Sequence, residues 1–412
     1  MAVRSIDFRT RTDADVVPVD PIAFFDETLP DLGARNGHLA VAGARELGVD
    51  SLGVEIAGRS WTLALDGDTV VVSRGSDDAP TVVRLDDEDL SDLVHDIRTP
   101  VGLLSGGDLD LARGRFEDFL DWWVVLRSLL DERPAHTRGA IDFRDRNGDR
   151  LDLGRAFTPD DDEEDLAHFL TEAGFLHIAG VFTQEEMETI AADMEAALPS
   201  YTPDDGKSWW ATTGDGEHRA VRLQCFQQHS ETTAAILADD RLARIGRLVP
   251  DGHRLGRPSS PENTIEALVK PIGVVEGISD VPWHKDCSLG RHSYQCCSMT
   301  IGISVTGADA ESGQLRVVAG SHRALIQPAF ARRDLDLPRV DLPTATGDIT
   351  VHLSCTMHMS QPPVARERRV MYTAFRLPDP DGSSQAGLDK VARIREGAHK
   401  VVSQKPSPVA TA

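Results

Sequence analysis

After residue 260 the apolar residues come in short stretches separated by glycine-containing turns, and this rhythm constrains the fold more than any other feature. E-S-G-Q-L-R-V-V-A-G-S-H runs from Glu311 to His322, and G-D-I-T-V-H-L-S-C-T-M-H-M-S from Gly347 to Ser360. R-E-R-R-V-M-Y-T-A-F-R-L follows from Arg366 to Leu377. Short strands punctuated in this way predict an all-β sandwich or barrel. Helices from about 164 to 199 are expected to pack against it.

Two of these stretches, with W-H-K-D at Trp283 to Asp286, hold a pattern with chemical content. In an extended strand, residues two apart leave the same face. His284 and Asp286 therefore converge, with Lys285 facing away, and His358 is the natural third member. Two histidines and one carboxylate on one face leave open positions on a metal, an arrangement that suits non-haem Fe(II) oxygenases. Those positions take a bidentate 2-oxoacid and then dioxygen. The far carboxylate of such an acid needs a cation, and a guanidinium forks onto it. Arg369 is the expected clamp, with Ser360 adding a hydroxyl. Arg368 is expected on the opposite face of that strand, and Arg366 before it.

Other residues are read more plainly. His352 is expected to be a buried structural histidine, His322 to order its turn, and Cys287 to be a packed thiol. Trp283, Trp209 and Trp210 either wall a substrate cleft or belong to the aromatic core.

The first half has a different organisation. R-S-W-T-L-A-L-D-G-D-T-V-V-V-S-R-G (Arg59 to Gly75) reads as two strands joined at Asp66 and Gly67. Thr81 to Leu85 is a third strand, Asp86 to Val94 starts an acid-capped helix, and Gly114 to Leu130 is an apolar helix. A small sheet with helices on one side is an α+β layer. The run D-D-D-E-E-D at Asp160 to Asp165 marks a solvated connection or the start of a helix, whose first turn suits acidic residues. The expected divisions are an extension at 1–35, an α+β domain at 36–135, an acidic linker at 136–163, a barrel at 164–382, and a helix with tail at 383–412.

Length and charge set the outer bounds. At 412 residues, two domains are the default. With 67 acidic against 43 basic residues the formal charge is -24, which disfavours nucleic acid and anionic lipid as partners. No apolar run is long enough for a membrane span, and the N-terminus lacks the apolar core of a signal peptide. Five cysteines without C-x-x-C spacing argue against a disulfide scaffold or structural zinc, so the chain reads as cytoplasmic.

Over roughly 164 to 378 the chain resembles the phytanoyl-CoA dioxygenase family of Fe(II)/2-oxoglutarate oxygenases. The residues that carry this are the H-x-D of His284 and Asp286, the S-G-Q-L-R-V-V-A-G-S-H block, and G-D followed by H-x-S and an arginine eleven residues past His358. The resemblance implies a double-stranded β-helix (jelly-roll, cupin-like) with flanking helices. It also implies iron on His284, Asp286 and His358, and 2-oxoglutarate held by Arg369 and Ser360 with Lys270 nearby. The chain departs from the family pattern at Ala319 and at Pro362 and Pro363. Over roughly 36 to 133 the order L-D-G-D-T-V-V-V, T-V-V-R-L-D-D-E-D-L, L-L-S-G-G-D-L-D-L-A-R-G is similar to the sterol-carrier-protein-2-like family, which implies an apolar tunnel.

Together these resemblances imply an oxygenase that uses Fe(II), 2-oxoglutarate and O2 to hydroxylate a hydrophobic small molecule such as a lipid, sterol or terpenoid. A carboxylate at Asp286, where the family's halogenases have a small residue, favours hydroxylation over halogenation, while desaturation, epoxidation and ring formation use the same metal shell and stay open. Two other classes remain: a lipid carrier with a vestigial barrel, and a cupin-like zinc or manganese hydrolase or isomerase. The substrate and oligomeric state are not encoded legibly.

Overall fold

The computed structural model describes residues 13–249, 252–256, 262–277, 281–289, 298–377, 389–390 and 392–394. Cys296, Cys297 and most of the expected C-terminal helix and tail lie outside these residues.

Strands β1 (Leu52–Ile56), β2 (Arg59–Asp66), β3 (Thr69–Arg74), β4 (Thr81–Arg84) and β5 (Asp110–Arg113) form a sheet ordered β3-β2-β1-β4-β5. Only β1 and β4 run parallel. Asp66 pairs with Thr69, so the hairpin loop is Gly67–Asp68, one residue later than the sequence suggests. Gly67 takes φ 55°, which a glycine adopts without strain.

Helix Phe116–Leu130 lies against helix Leu29–Leu47, and both help bury the N-terminal core. The latter helix runs through residue 36, where the expected N-terminal domain begins. Its glycines weaken the helical signal but are needed for packing: a Cβ on Gly33 would lie 2.1 Å from the carbonyl oxygen of Val70 on β3. Trp122 and Trp123 are core residues, and Trp122 Nε1 donates to the Asp50 carbonyl.

The second half is a sandwich of two antiparallel sheets. The larger has nine strands: β6 (Phe175–Ile178), β7 (Ser208–Thr213), β8 (His218–Leu223), β9 (Arg254–Leu255), β10 (Glu266–Lys270), β11 (Val274–Glu276), β13 (Met299–Ser304), β16 (Ile349–Leu353) and β18 (Arg368–Arg376). The smaller, ordered β12-β17-β14-β15, comprises β12 (Val281–His284), β14 (Leu315–Val318), β15 (Arg339–Leu342) and β17 (His358–Ser360). Helices Glu163–Ala173 and Gln184–Ala197 supply Leu166, Phe169, Ile190 and Met194 to the core behind the larger sheet. A capping box at Thr183 and Glu186 starts the second helix.

The segment expected as an acidic linker is held to the structure near both ends. The Ala135 amide donates to Leu39, and Phe157, fully buried, pairs with Ile178 of the sandwich. The two halves also meet directly. Asp121 accepts from Gln327 and Arg332, His136 Nε2 lies 2.7 Å from Asp336, and Val101 and Leu120 pack with Ala329. Helix Pro100–Gly106 touches the 3-10 turn Asp286–Leu289.

The G-D turn before β16 is one anchor of the sandwich. Asp348 accepts from His177 Nε2, the Gly180 amide and the Ala345 amide. Burial opposes its ionisation, but these donors together hold its carboxyl below the usual range. Gly347 takes φ 86°, and a Cβ there would lie 2.0 Å from the Phe182 carbonyl oxygen. Gly347→Ala is therefore expected to lose about 2–4 kcal/mol from left-handed strain plus a backbone clash. Urea unfolding of the two proteins measures this, and equal midpoints would contradict it.

Candidate metal centre

The pairing of β12 with β17 sets His284 directly opposite His358. β12 ends at His284, and Asp286 opens the 3-10 turn Asp286–Leu289. The pair is thus not on one continuous strand as expected; the turn carries Asp286 back toward the histidines. His284 Nε2 lies 3.4 Å and His358 Nε2 3.6 Å from Asp286 Oδ1. One donor atom from each residue falls within 4.8 Å of the others.

The orientation of both rings suits a metal. His284 Nδ1 lies 2.7 Å from the Pro282 carbonyl, and His358 Nδ1 lies 2.9 Å from the Thr356 carbonyl. A carbonyl only accepts, so each Nδ1 carries the proton and each Nε2 turns a lone pair inward. Burial, then the neighbouring His352 and His284, holds the His358 imidazole well below its ordinary value. Burial also opposes ionisation of Asp286, but its contacts with His358, His284 and His352 outweigh this and hold its carboxyl well below the usual range. Two imidazole nitrogens and a carboxylate oxygen are a donor set for a divalent first-row ion.

The second oxygen, Asp286 Oδ2, accepts from Thr300 Oγ1 at 2.8 Å and lies 3.5 Å from His352 Nε2. His352 is buried as expected. It lies inside the sandwich, with its ring centroid 4.1 Å from that of His358, rather than in the surrounding apolar core.

A buried cationic group lies two residues along β17. Lys270 Nζ donates to Ser360 Oγ, and Lys270 pairs across β10 and β18 with Arg368. Arg368 is 2% exposed, donates to the Gly313 carbonyl at 2.7 Å, and leaves its Nε without a partner among the described residues. The backbone of residues 361–363, which includes Pro362 and Pro363, passes close to Gly313, where a Cβ would lie 2.3 Å from the Gln361 carbonyl oxygen.

Arg369, expected as the clamp, is on the other face. It pairs with Glu195 and Glu367 and donates to the Ala191 carbonyl of helix Gln184–Ala197. The reason is register: Lys270 faces Arg368 while Val269 faces Arg369, and Val269 belongs to the helix-side core. Counting residues from His358 could not fix that parity, because the chain between β17 and β18 is not extended strand.

The remaining expectations divide. Trp283 packs with Val318, Ile326 and Met357, on the side of β12 away from His284, so it does not wall the site. Trp209 lies under the Arg222 guanidinium, 4.3 Å from it, and Arg222 pairs with Glu266 on β10. Trp210 donates to Ser208 and packs against the helix-side core. Both tryptophans are on β7, which β8 and β10 separate from β18 in the larger sheet. Lys285, expected to face away from His284 and Asp286, turns into the protein interior. It is fully buried, donates to the Ser321 carbonyl, and burial lowers its pKa. The thiols of Cys287 and Cys355 lie 3.1 Å apart. His322 ties its turn to helix Glu163–Ala173, where Nε2 donates to the Thr171 carbonyl at 2.8 Å.

Residues 170–370 match the phytanoyl-CoA dioxygenase (PhyH) family. No curated protein matches the chain. Among solved structures, the chain is similar to the non-heme alpha ketoglutarate dependent epimerase SnoN from nogalamycin biosynthesis, at 22% identity and TM-score 0.42 over 52% of this chain and 80% of that one. It is also similar to EctD from S. alaskensis in its apoform, at 17% identity and TM-score 0.43 over 61% and 92%. HygX from Streptomyces hygroscopicus, with nickel and 2-oxoglutarate bound, aligns at 20% identity and TM-score 0.38 over 50% and 84%.

His322 gives a pH signature independent of the metal. Burial lowers its pKa from 6.5 to about 4, against the opposing bond to Thr171. Between those values the unfolded chain binds the proton and the folded one does not, so stability rises with pH. The contribution is complete above about 6.5 and is lost as pH falls toward 4, by about 3 kcal/mol at most. His322→Gln is expected to flatten that part of the stability–pH curve. Parallel curves for the two proteins in chemical denaturation would contradict it.

Proposed function

We propose that the protein is an Fe(II)/2-oxoglutarate-dependent oxygenase that hydroxylates a C–H bond of a hydrophobic small molecule. The observation that carries this reading is the pairing of two sites on one short strand. His358 belongs to the His284–Asp286–His358 triad, and Ser360, two residues on, belongs to the buried Lys270–Ser360–Arg368 group. A buried guanidinium that pairs with no carboxylate among the described residues is costly unless a ligand provides the anion. A 2-oxoacid has a chelating end for the metal and a second carboxylate for the cations. The match of residues 170–370 to a dioxygenase family supports the same reading.

In this reading His284, Asp286 and His358 hold the iron, and Lys270, Ser360 and Arg368 fix the far end of 2-oxoglutarate. Iron with 2-oxoglutarate and O2 supplies oxidative decarboxylation to succinate and carbon dioxide, and the oxidising power for the substrate carbon. The carbonyls of Pro282 and Thr356 keep both imidazoles aimed inward, and burial keeps His358 unprotonated. Trp209, on the same face as the Arg222–Glu266 pair, is retained as a substrate-contacting residue. Residues 36–135 are read as a sterol-carrier-protein-2-like module that presents the apolar substrate.

With anaerobically reconstituted Fe(II), the protein is expected to form succinate from 2-oxoglutarate, and to do so faster with a lipophilic substrate from a screened set. His358→Ala should abolish it; a carrier would form none, and a zinc or manganese hydrolase would not need the oxoacid. Arg368→Ala should raise the KM for 2-oxoglutarate by about 30-fold or more, the cost of unpairing a buried charge. Arg369→Ala, which removes a partly exposed ion pair, should change it by less than about 5-fold. The reverse order for the two arginines would refute the assignment of the clamp.

A further inference from the structure

His352 is not accounted for by the triad or by the cationic group. It is 1% exposed, and neither ring nitrogen makes a hydrogen bond among the described residues. A buried imidazole N–H left without an acceptor costs about 1–3 kcal/mol. The acceptor within reach is Asp286 Oδ2, 3.5 Å from Nε2.

The environment of Asp286 is divided between its two oxygens. Oδ1 faces the Nε2 atoms of His284 and His358, at 3.4 and 3.6 Å. Oδ2 faces Thr300 Oγ1 at 2.8 Å and His352 Nε2 at 3.5 Å. Thr300 and His352 are direct partners in the antiparallel pairing of β13 with β16. Paired residues share a face of the sheet, so both side chains reach the same point from a rigid support. The hydroxyl and the imidazole thus converge on one oxygen while the ligand nitrogens converge on the other.

We propose that His352 is a positioning residue that, with Thr300, holds Oδ2 of Asp286 so that Oδ1 alone is presented to the metal. The proposal rests on the metal site of the preceding section. A carboxylate that turned both oxygens to the ion would occupy a further position, one that the oxoacid or dioxygen needs. Outer partners that orient a ligand are commonly worth 10- to 100-fold in metal affinity. The required tautomer has the proton on Nε2, opposite to that of His284 and His358. No carbonyl bonds the Nδ1 of His352 as Pro282 and Thr356 bond theirs, so nothing fixes its proton there.

Cobalt(II) binding to the metal-free full-length protein tests this without catalysis, through both affinity and the visible absorption of the bound ion. Glutamine places an N–H near the position of Nε2, whereas asparagine is too short to reach Oδ2. His352→Asn is expected to weaken cobalt binding by about 10- to 100-fold and to alter the absorption band, because Asp286 is released to bind through both oxygens. His352→Gln is expected to restore affinity to within about 3-fold and to keep the wild-type band. Wild-type affinity and an unchanged band in His352→Asn would overturn the proposal in favour of simple packing. Loss of one nitrogen neighbour in the X-ray absorption spectrum of His352→Gln would overturn it in favour of direct ligation. Failure of the wild-type protein to bind cobalt at all would remove the metal site itself, a distinct result that takes this proposal with it.

Discussion

The register of β12 against β17 is the constraint on which the site depends. It sets His284 opposite His358, and a slip of one residue would turn the ligand face of either strand away from the other. β17 is held from its other side as well, where Val317 on β14 pairs with His358. The carbonyls two residues before each histidine then fix the rings. The same backbone that aligns the strands therefore selects the nitrogen that faces inward, so position and tautomer have one cause.

Charge is distributed within the sandwich in a comparable way. Asp286 is surrounded by three imidazoles and a threonine hydroxyl. Arg368 and Lys270 lie on one face of the larger sheet, while Arg369, one residue on, is neutralised by Glu195 and Glu367 on the other. Adjacent arginines on a strand thus do different work: one ties a helix to the sheet, the other points into the sandwich. The alternation of a strand is sufficient to separate them.

How much was legible in the sequence follows from this. The triad could be read because its residues lie in short motifs in a fixed order, and side-chain type carried the information. The two-sheet core was visible in the punctuation by glycine. The choice of Arg369 failed because parity cannot be counted across a loop containing Pro362 and Pro363; the pairing of β10 with β18 decides it. Lys285 is expected only to face away from the ligand pair, and its burial against the Ser321 carbonyl has no signal in a strand period. The role of His352 was obscured because a lone buried histidine has no sequence signature beyond its period. Helix Leu29–Leu47 was missed for a different reason: Gly33 and Gly37 lower helix propensity, yet they let the helix lie on the backbone of β3.

The contact between helix Pro100–Gly106 and the turn Asp286–Leu289 has a structural consequence. The element that bears the carboxylate ligand is buttressed by the first half of the chain, and Val101 and Leu120 there cover Ala329 beside the partly buried Phe330. Excising the β-sandwich as a minimal fragment would strip that support and leave an apolar scar at the ligand turn. The chain's two halves are in this sense one packed body, with the N-terminal portion a buttress of the turn that bears Asp286 rather than a detachable appendage.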